Sequence, residues 1–369
     1  MTAAGSSTPN SVPSNADDAD EVVMVARGIA TAVAPEGGLT DVQAALLRAI
    51  ATALTGVEVD YLNLEPLGAD ELAALLERRD EAYRQRIVHH MVLGEMVLRP
   101  LPPEVAFRVA TYARALGIDD RFVRVARRYA QGAHGLAWID LRRNGFTEHL
   151  QQADTEVLRA RAGTVNPFEA PEPDPELEAR WAAFGELPSG SLGRGVFDMY
   201  EGRGFALPGA PTGASAYLAQ HDFVHVLANY GTNLKGELEV FAFIGRADPD
   251  PKGFAWLATL VGLFETGYIS DAGFFERDVR EHNIQAPGMH YRIADAIRRG
   301  KAVCERYDRD LFMVDYHALA DRSIDEMCGQ LGIPPKSPEA CESGSAGVFE
   351  RAGMSEMQQR AAEEREAAR

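Results

Sequence analysis

The chain of 369 residues is long enough for two separate cores, and its formal net charge of −18 at pH 7 argues against nucleic-acid binding and against attraction to anionic lipid. Cys304, Cys328 and Cys341 are odd in number and fit no zinc-ribbon or CxxC spacing, so they read as reduced thiols. No stretch nears the ~20 apolar residues that span a bilayer, and the N-terminus lacks the basic and apolar regions of a secretory signal, so a cytoplasmic protein is expected.

Residues 1–20 are rich in Ser, Asn, Pro and Asp and read as disordered. From 21 to 150 the pattern is helical. Asp41-Val42-Gln43 opens a helix with Leu46, Ala49, Ile50, Ala53 and Leu54 on one stripe. Asp70-Glu71-Leu72 opens a second, and Arg84 to Met96 carries a third apolar face. Pro102-Pro103-Glu104 starts a fourth, and Asp119 or Asp120 caps a fifth through Phe122, Val125 and Tyr129. Residues 151–176 read as a linker, because the prolines between Asn166 and Pro175 exclude helix and sheet.

A second helical domain is expected over 177–336. Its helices are Leu177 to Phe184, Ala214 to Tyr230, Leu234 to Ile244, Phe254 to Phe264, Ser270 to Val279 and Tyr291 to Tyr307, with Leu192-Gly193-Arg194-Gly195 leading into Val196 to Tyr200 and then a Gly/Pro-rich loop to Thr212. A last core helix runs through Leu319, Ile324, Met327 and Leu331. Residues 337–369 lack apolar periodicity and read as a polar tail, with a solvated or frayed Glu/Arg/Ala helix from about Ser355. The fold class is all-α, in two helical domains.

The stretch that carries chemistry is His221-Asp222-Phe223-Val224-His225, followed by Glu237. Histidines four residues apart lie one above the other on a helix and can bind one metal ion. Asp222 borders that face, about 100° further round. On one straight helix Glu237 would point roughly 120° away from His225. Gly231-Thr232-Asn233 supplies a helix stop and then an N-cap, so a second helix can fold back and bring Glu237 to the same ion. The outcome is a two-histidine site with one or two carboxylates. Such donors suit zinc first, then iron or manganese. Asp222 has three open roles: ligand, partner to His221, or proton acceptor. Asp222 and Glu237 are the catalytic candidates.

His221-Asp222-x-x-His225-x11-Glu237 resembles the zinc-ligand motif of the coenzyme Q (ubiquinone) biosynthesis protein 4 family. Val226-Leu227, Tyr230-Gly231-Thr232 and Gly236-Glu237-Leu238 match around it. Upstream, Leu192-Gly193-Arg194-Gly195 and Gly202 to Leu207 resemble that family's lead-in. Downstream, Gly300-Lys301-Ala302, Val314-Asp315-Tyr316 and Leu331-Gly332-Ile333 resemble its close, with Tyr316 where a Trp is usual.

The resemblance covers residues 177–335. It implies an all-α domain holding a divalent metal through His221, Asp222, His225 and Glu237. The implied activity is replacement of the C1 carboxyl of a prenylated hydroxybenzoate-type ring by a hydroxyl. It further implies association with isoprenoid lipid, with other biosynthetic proteins and with the inner membrane face. No mitochondrial leader is read, which points to a bacterial setting. Residues 21–145 resemble more loosely the tellurite-resistance B-like helical domain. The parallel lies between Leu39-Thr40-Asp41 with Ala53-Leu54-Thr55-Gly56 and Leu101-Pro102-Pro103 with Ala115-Leu116-Gly117.

Phe223, Phe241, Phe243, Phe254, Trp256, Phe264, Phe274 and Phe275 can line a tail pocket or be plain core. Arg194 and Lys235 can meet an anionic head group or solvent. His89-His90 points about 100° apart and makes a poor metal pair, and His290 reads as a loop histidine. One rival reading is a non-catalytic lipid- or quinone-binding scaffold with a structural metal. Another is an HD-type phosphohydrolase, whose central pair is His-Asp but which needs an earlier histidine and a later aspartate.

Overall fold

A computed structural model describes residues 16–98, 100–119, 123–124, 172–254, 257, 283–307 and 309–368. The expected all-α class holds, and among the described residues the one β feature is an isolated bridge between Ser191 and Ser323. The N-terminal helices are α1 (Ala16–Val33), α2 (Asp41–Thr55), α3 (Ala69–Leu75), α4 (Glu81–Met96) and α5 (Pro103–Ala115). They are followed by α6 (Pro175–Ala182), α7 (Leu192–Arg203), α8 (Gln220–Ala228), α9 (Leu234–Ala247) and α10 (Met289–Arg306). Short α11 (Ile324–Leu331) and α12 (Pro338–Glu342) precede the terminal α13 (Glu356–Ala368).

Local chemistry explains the starts. Thr40 and Gln43 form a capping box at α2. The buried Gln43 amide then donates to Val33 O and Gly94 O, both at 2.9 Å, tying α1 and α4 to that helix start. Pro175 is the first residue of α6, with Asp174 accepting from Leu177 N at 3.1 Å.

The scaffold of the second half is the pair α9 and α10, which pack along one another. Gly300 permits their close approach, since a Cβ there would collide with Phe243 O. Glu239 and Arg292 form a buried ion pair at 2.5 Å across this interface. Arg299 donates to Ala228 O at 2.9 Å, satisfying a free carbonyl at the end of α8, and lies 4.9 Å above the Tyr230 ring. The other side of α10 meets α2. There Lys301 Nζ donates to Leu54 O at 3.0 Å, and nearby Arg86 donates to Pro249 O at 2.8 Å.

Several expectations change. The helix of α1 begins at Ala16, inside the stretch read as disordered, because Ala and Asp extend the pattern that starts at Glu21. The span read as one helix from Ala214 is helical from Gln220, after turns in which Ser215 Oγ accepts from Leu218 N at 3.2 Å. The C-terminal tail is no loose appendage, for Ala346, Val348, Ser355 and Gln358 are all buried. Its buried groups are mostly polar or small, which is why apolar periodicity missed them. The expected helices through Phe122, Val125 and Tyr129, beyond Leu257 to Phe264, and over Ser270 to Val279 lie outside the described residues, as does most of the linker.

His317 packs against Phe184 at 5.0 Å and edge-on to Trp181 at 5.5 Å. Burial, helped by the Arg180 charge and opposed by Asp315, pushes its pKa down to about 4. The unfolded chain therefore binds a proton between about pH 6.5 and 4 that the folded chain refuses. His317 contributes stability that is complete above that window and is lost as pH falls through it. A His317→Gln variant will show a shallower loss of melting temperature between pH 7 and pH 4.5 than the parent, measured by calorimetry at matched ionic strength.

Candidate metal centre

Three helices build the site. On α8, His221 and His225 stand one turn apart with ring centroids 5.1 Å from each other. Asn229, at φ 57° in the left-handed region, ends that helix. Asn233 then accepts from Gly236 N at 2.9 Å and starts α9, which puts Glu237 in its first turn. The N-cap read at Asn233 is the one observed, whereas the stop read at Gly231 falls two residues earlier, at Asn229.

The hairpin closes on a buried cluster of His221, His225 and Glu237, with one donor atom from each within 4.8 Å of the others. His225 Nε2 lies 3.3 Å from Glu237 Oε1, and His221 Nε2 lies 3.5 Å from Glu237 Oε2. Donors bound to one zinc ion at about 2.0–2.1 Å in a tetrahedron lie about 3.3–3.4 Å apart, so these are the edges of a coordination shell. Asp222 stands at its border, with Oδ1 3.6 Å from His221 Nε2. It is not one of the three groups that converge.

The polar bookkeeping points the same way. His221 turns Nδ1 to Leu218 O, and His225 turns Nδ1 to Tyr230 O at 3.2 Å. Each carbonyl requires an Nδ1–H, which leaves the Nε2 lone pair of a neutral ring facing inward. His225 Nε2 is fully buried without a hydrogen-bond partner. Facing it is a carboxylate, also an acceptor. Two buried acceptors at this distance need a cation between them.

A proton is the alternative occupant. Desolvation disfavours the His221 imidazolium, but the Asp222 charge and the bond and charge of Glu237 outweigh it and raise its pKa to about 9. Burial likewise opposes ionisation of Glu237, and His225 and His221 overcome it to hold the carboxyl at about 2. The metal-free site therefore carries a proton on His221 at neutral pH, which a bound cation would displace, and two imidazoles with an ionised carboxylate are donor types that fit zinc, iron or manganese. No soft thiolate belongs to the cluster.

Two neighbours on α7 escaped the sequence reading. Tyr200 OH donates to Asp222 Oδ2 at 2.5 Å. Arg203 is buried and held down to about 10 by desolvation, while the charges of Asp222 and Glu237 act to raise it. Neither stands at a spacing that marks a ligand, so only the packing of α7 on α8 could show them. Gly195 allows that packing, because a Cβ there would press on Val226 at 3.0 Å.

Other candidates fall elsewhere. Phe241 stacks on His221 at 5.2 Å and is part of the site wall. Phe223 stacks on Tyr316 at 4.7 Å, and Phe243 lies under Tyr230, so both are core. Phe254, Trp256, Phe264, Phe274 and Phe275 have side chains outside the described residues. Arg194 is engaged by Asp198 at 2.7 Å and by Gly185 O at 2.8 Å. Lys235 is half-buried at the start of α9. His89, His90 and His290 belong to no metal cluster among the described residues, and His290, read as a loop histidine, is the second residue of α10 because Gly288 caps that helix.

The full chain will retain one divalent ion through gel filtration, by metal analysis. His225→Gln and Glu237→Gln will retain none. Tyr200→Phe will keep the stoichiometry but bind about 10- to 100-fold more weakly, the range typical of groups that orient a ligand's neighbour.

No family model matches the chain, and no curated protein matches it. Among solved structures, it is similar to a protein of Nostoc punctiforme PCC 73102 described as a "Putative ubiquinone biosynthesis protein", at 18% identity with a TM-score of 0.31. The match covers 69% of this chain and 98% of that one.

Proposed function

We propose that the protein is a divalent-metal-dependent enzyme of quinone-type biosynthesis. Its reaction exchanges the C1 carboxyl of a prenylated hydroxybenzoate-type ring for a hydroxyl. The observation that carries the metal half of this reading is the orphaned, fully buried Nε2 of His225 opposite the Glu237 carboxylate. The substrate half rests on the resemblance of His221-Asp222-x-x-His225-x11-Glu237 and its flanking segments to the coenzyme Q biosynthesis protein 4 family.

In this reading His221, His225 and Glu237 would hold the ion, and the chemistry it would supply is Lewis-acid orientation of a phenolic or carboxylate oxygen and stabilisation of charge on the ring. Zinc is the first expectation, with manganese or iron as alternatives. Two histidines and one carboxylate with open positions also suit non-haem iron. Net, the C1–carboxyl bond breaks, carbon dioxide leaves and a C1–oxygen bond forms. A two-electron oxidant such as dioxygen must be supplied.

Asp222 holds or accepts the proton. Burial raises its carboxyl above the usual range against the pull of His221 and His225, bringing it nearer to working pH, and Tyr200 fixes its orientation. Phe241 supplies an apolar wall beside His221. The N-terminal helices serve as an interaction module for other biosynthetic proteins. The family resemblance suggests peripheral contact with a membrane, and no described helix is long and apolar enough to cross one.

The test is turnover under air by protein loaded with zinc, iron or manganese, followed by mass spectrometry of a prenylated hydroxybenzoate. The parent will convert it. Asp222→Asn will keep its metal and lose about 10²- to 10⁴-fold in rate. Glu237→Ala will lose turnover while still binding the prenylated ring. A parent that binds the ring but never releases carbon dioxide with any of the three ions would leave the scaffold reading in place of the enzyme.

A further inference from the structure

Tyr230 N in the turn between α8 and α9 is paired locally with His225 O, but the backbone N–H groups of residues 231–233 are paired by the C-terminal tail. Gly231 N donates to Ala346 O at 3.1 Å, and Thr232 N and Asn233 N both donate to Gly353 O at 2.7 and 2.9 Å. Val348 N donates to the Asn229 side chain at 3.0 Å, and Asn233 Nδ2 donates to Ala352 O at 2.9 Å. Gln358 closes the set. Its Oε1 accepts from Thr232 Oγ1 at 2.8 Å, and its Nε2 donates to Thr232 O at 3.0 Å.

One cation joins the three parts. Arg203, at the end of α7, donates from Nε to Thr232 Oγ1 at 2.5 Å and from Nη2 to Val348 O. The contact between turn and tail is backbone against backbone. A Cβ on Gly231 would stand 2.5 Å from Gly353 Cα, and one on Gly353 would stand 2.9 Å from Gly231 Cα. The same turn sets the distance between His225 before it and Glu237 after it, and Glu237 N donates to Asn233 O at 2.9 Å.

We propose that the segment 345–358 is a positioning clamp for the metal centre, anchored by Arg203, so that a tail over 100 residues downstream governs how tightly the ion is held. The physical reason is that buried backbone groups must be paired. Released from the tail, the groups of residues 229–233 would turn to water and the turn would relax. A metal site tolerates only about 0.5 Å of such relaxation. The inference rests on the metal reading above. Arg203, Thr232, Gly353 and Gln358 are positioning residues, since none of them is a ligand.

The test uses full-length protein, with the zinc dissociation constant read by competition with a chromogenic chelator and the visible spectrum of the cobalt-loaded form read beside it. Thr232→Val and Gln358→Ala will each weaken zinc about tenfold, in the range for groups beyond the ligands, and will shift the cobalt bands. Thr232→Ser, which keeps the hydroxyl, will restore parental affinity. Gly353→Ala, which forces a backbone collision, will weaken zinc further. Arg351→Ala, removing an exposed ion pair with Glu363 in the same segment, will stay within twofold of the parent. If Gly353→Ala does not fold, the Thr232 pair decides. Parental zinc affinity and cobalt spectra in Thr232→Val and Gln358→Ala would overturn the clamp alone. A parent that binds neither zinc nor cobalt would overturn the metal reading and the clamp together.

Discussion

At the centre of the molecule a histidine lone pair faces a carboxylate across 3.3 Å of buried space. Neither group can donate to the other while the ring is neutral with its proton on Nδ1 and the carboxyl is ionised. That conflict is stable only when a positive charge lies between them, whether a metal ion or a proton. The surrounding design follows from it. Carbonyls of Leu218 and Tyr230 fix the two rings, Tyr200 holds the neighbouring aspartate, and Arg203 places a fixed cation behind the carboxylates. A protein gains nothing in stability by burying this many unbalanced acceptors, so the arrangement is best explained by its ligand.

Holding such a site open to an ion while closed to water asks for rigidity that a nine-residue helix such as α8 cannot supply alone. Rigidity comes from three directions. Arg299 on α10 ties down the end of α8, α7 packs closely through Gly195, and the C-terminal tail stitches the turn. The site is therefore local in sequence over 221–237, but its geometry depends on residues from 200 to 358. This is the usual division between a motif, which supplies donors, and a shell, which places them.

The chemistry proposed for the site draws on both. Nitrogen and carboxylate donors without thiolate leave room for a substrate oxygen, whereas a closed set of cysteines would not. Beside these donors a buried aspartate, its pKa raised by burial, is steered by a tyrosine.

Much was legible from the chain itself. Spacing put His221 and His225 on one face, and Asn233 announced the cap of the helix that returns Glu237 to them, because helix periodicity and capping are local rules, although the stop lies at Asn229 and not at Gly231. The helical class was legible for the same reason. Other features were not. Adjacency to His221 left Asp222 open as ligand, partner or proton acceptor, and no periodicity foretold that one of its oxygens borders the cluster while the other accepts from Tyr200. Tyr200 and Arg203 carry no spacing signal, since their role arises from how α7 lies on α8. The tail read as polar and peripheral, because what it buries is backbone and amide, which hydrophobic patterning does not register. Donor identity and the fold-back of the hairpin were determined by sequence. Which carboxylate converges, and what holds the turn still, only tertiary packing decided, because those contacts join segments that no periodicity relates.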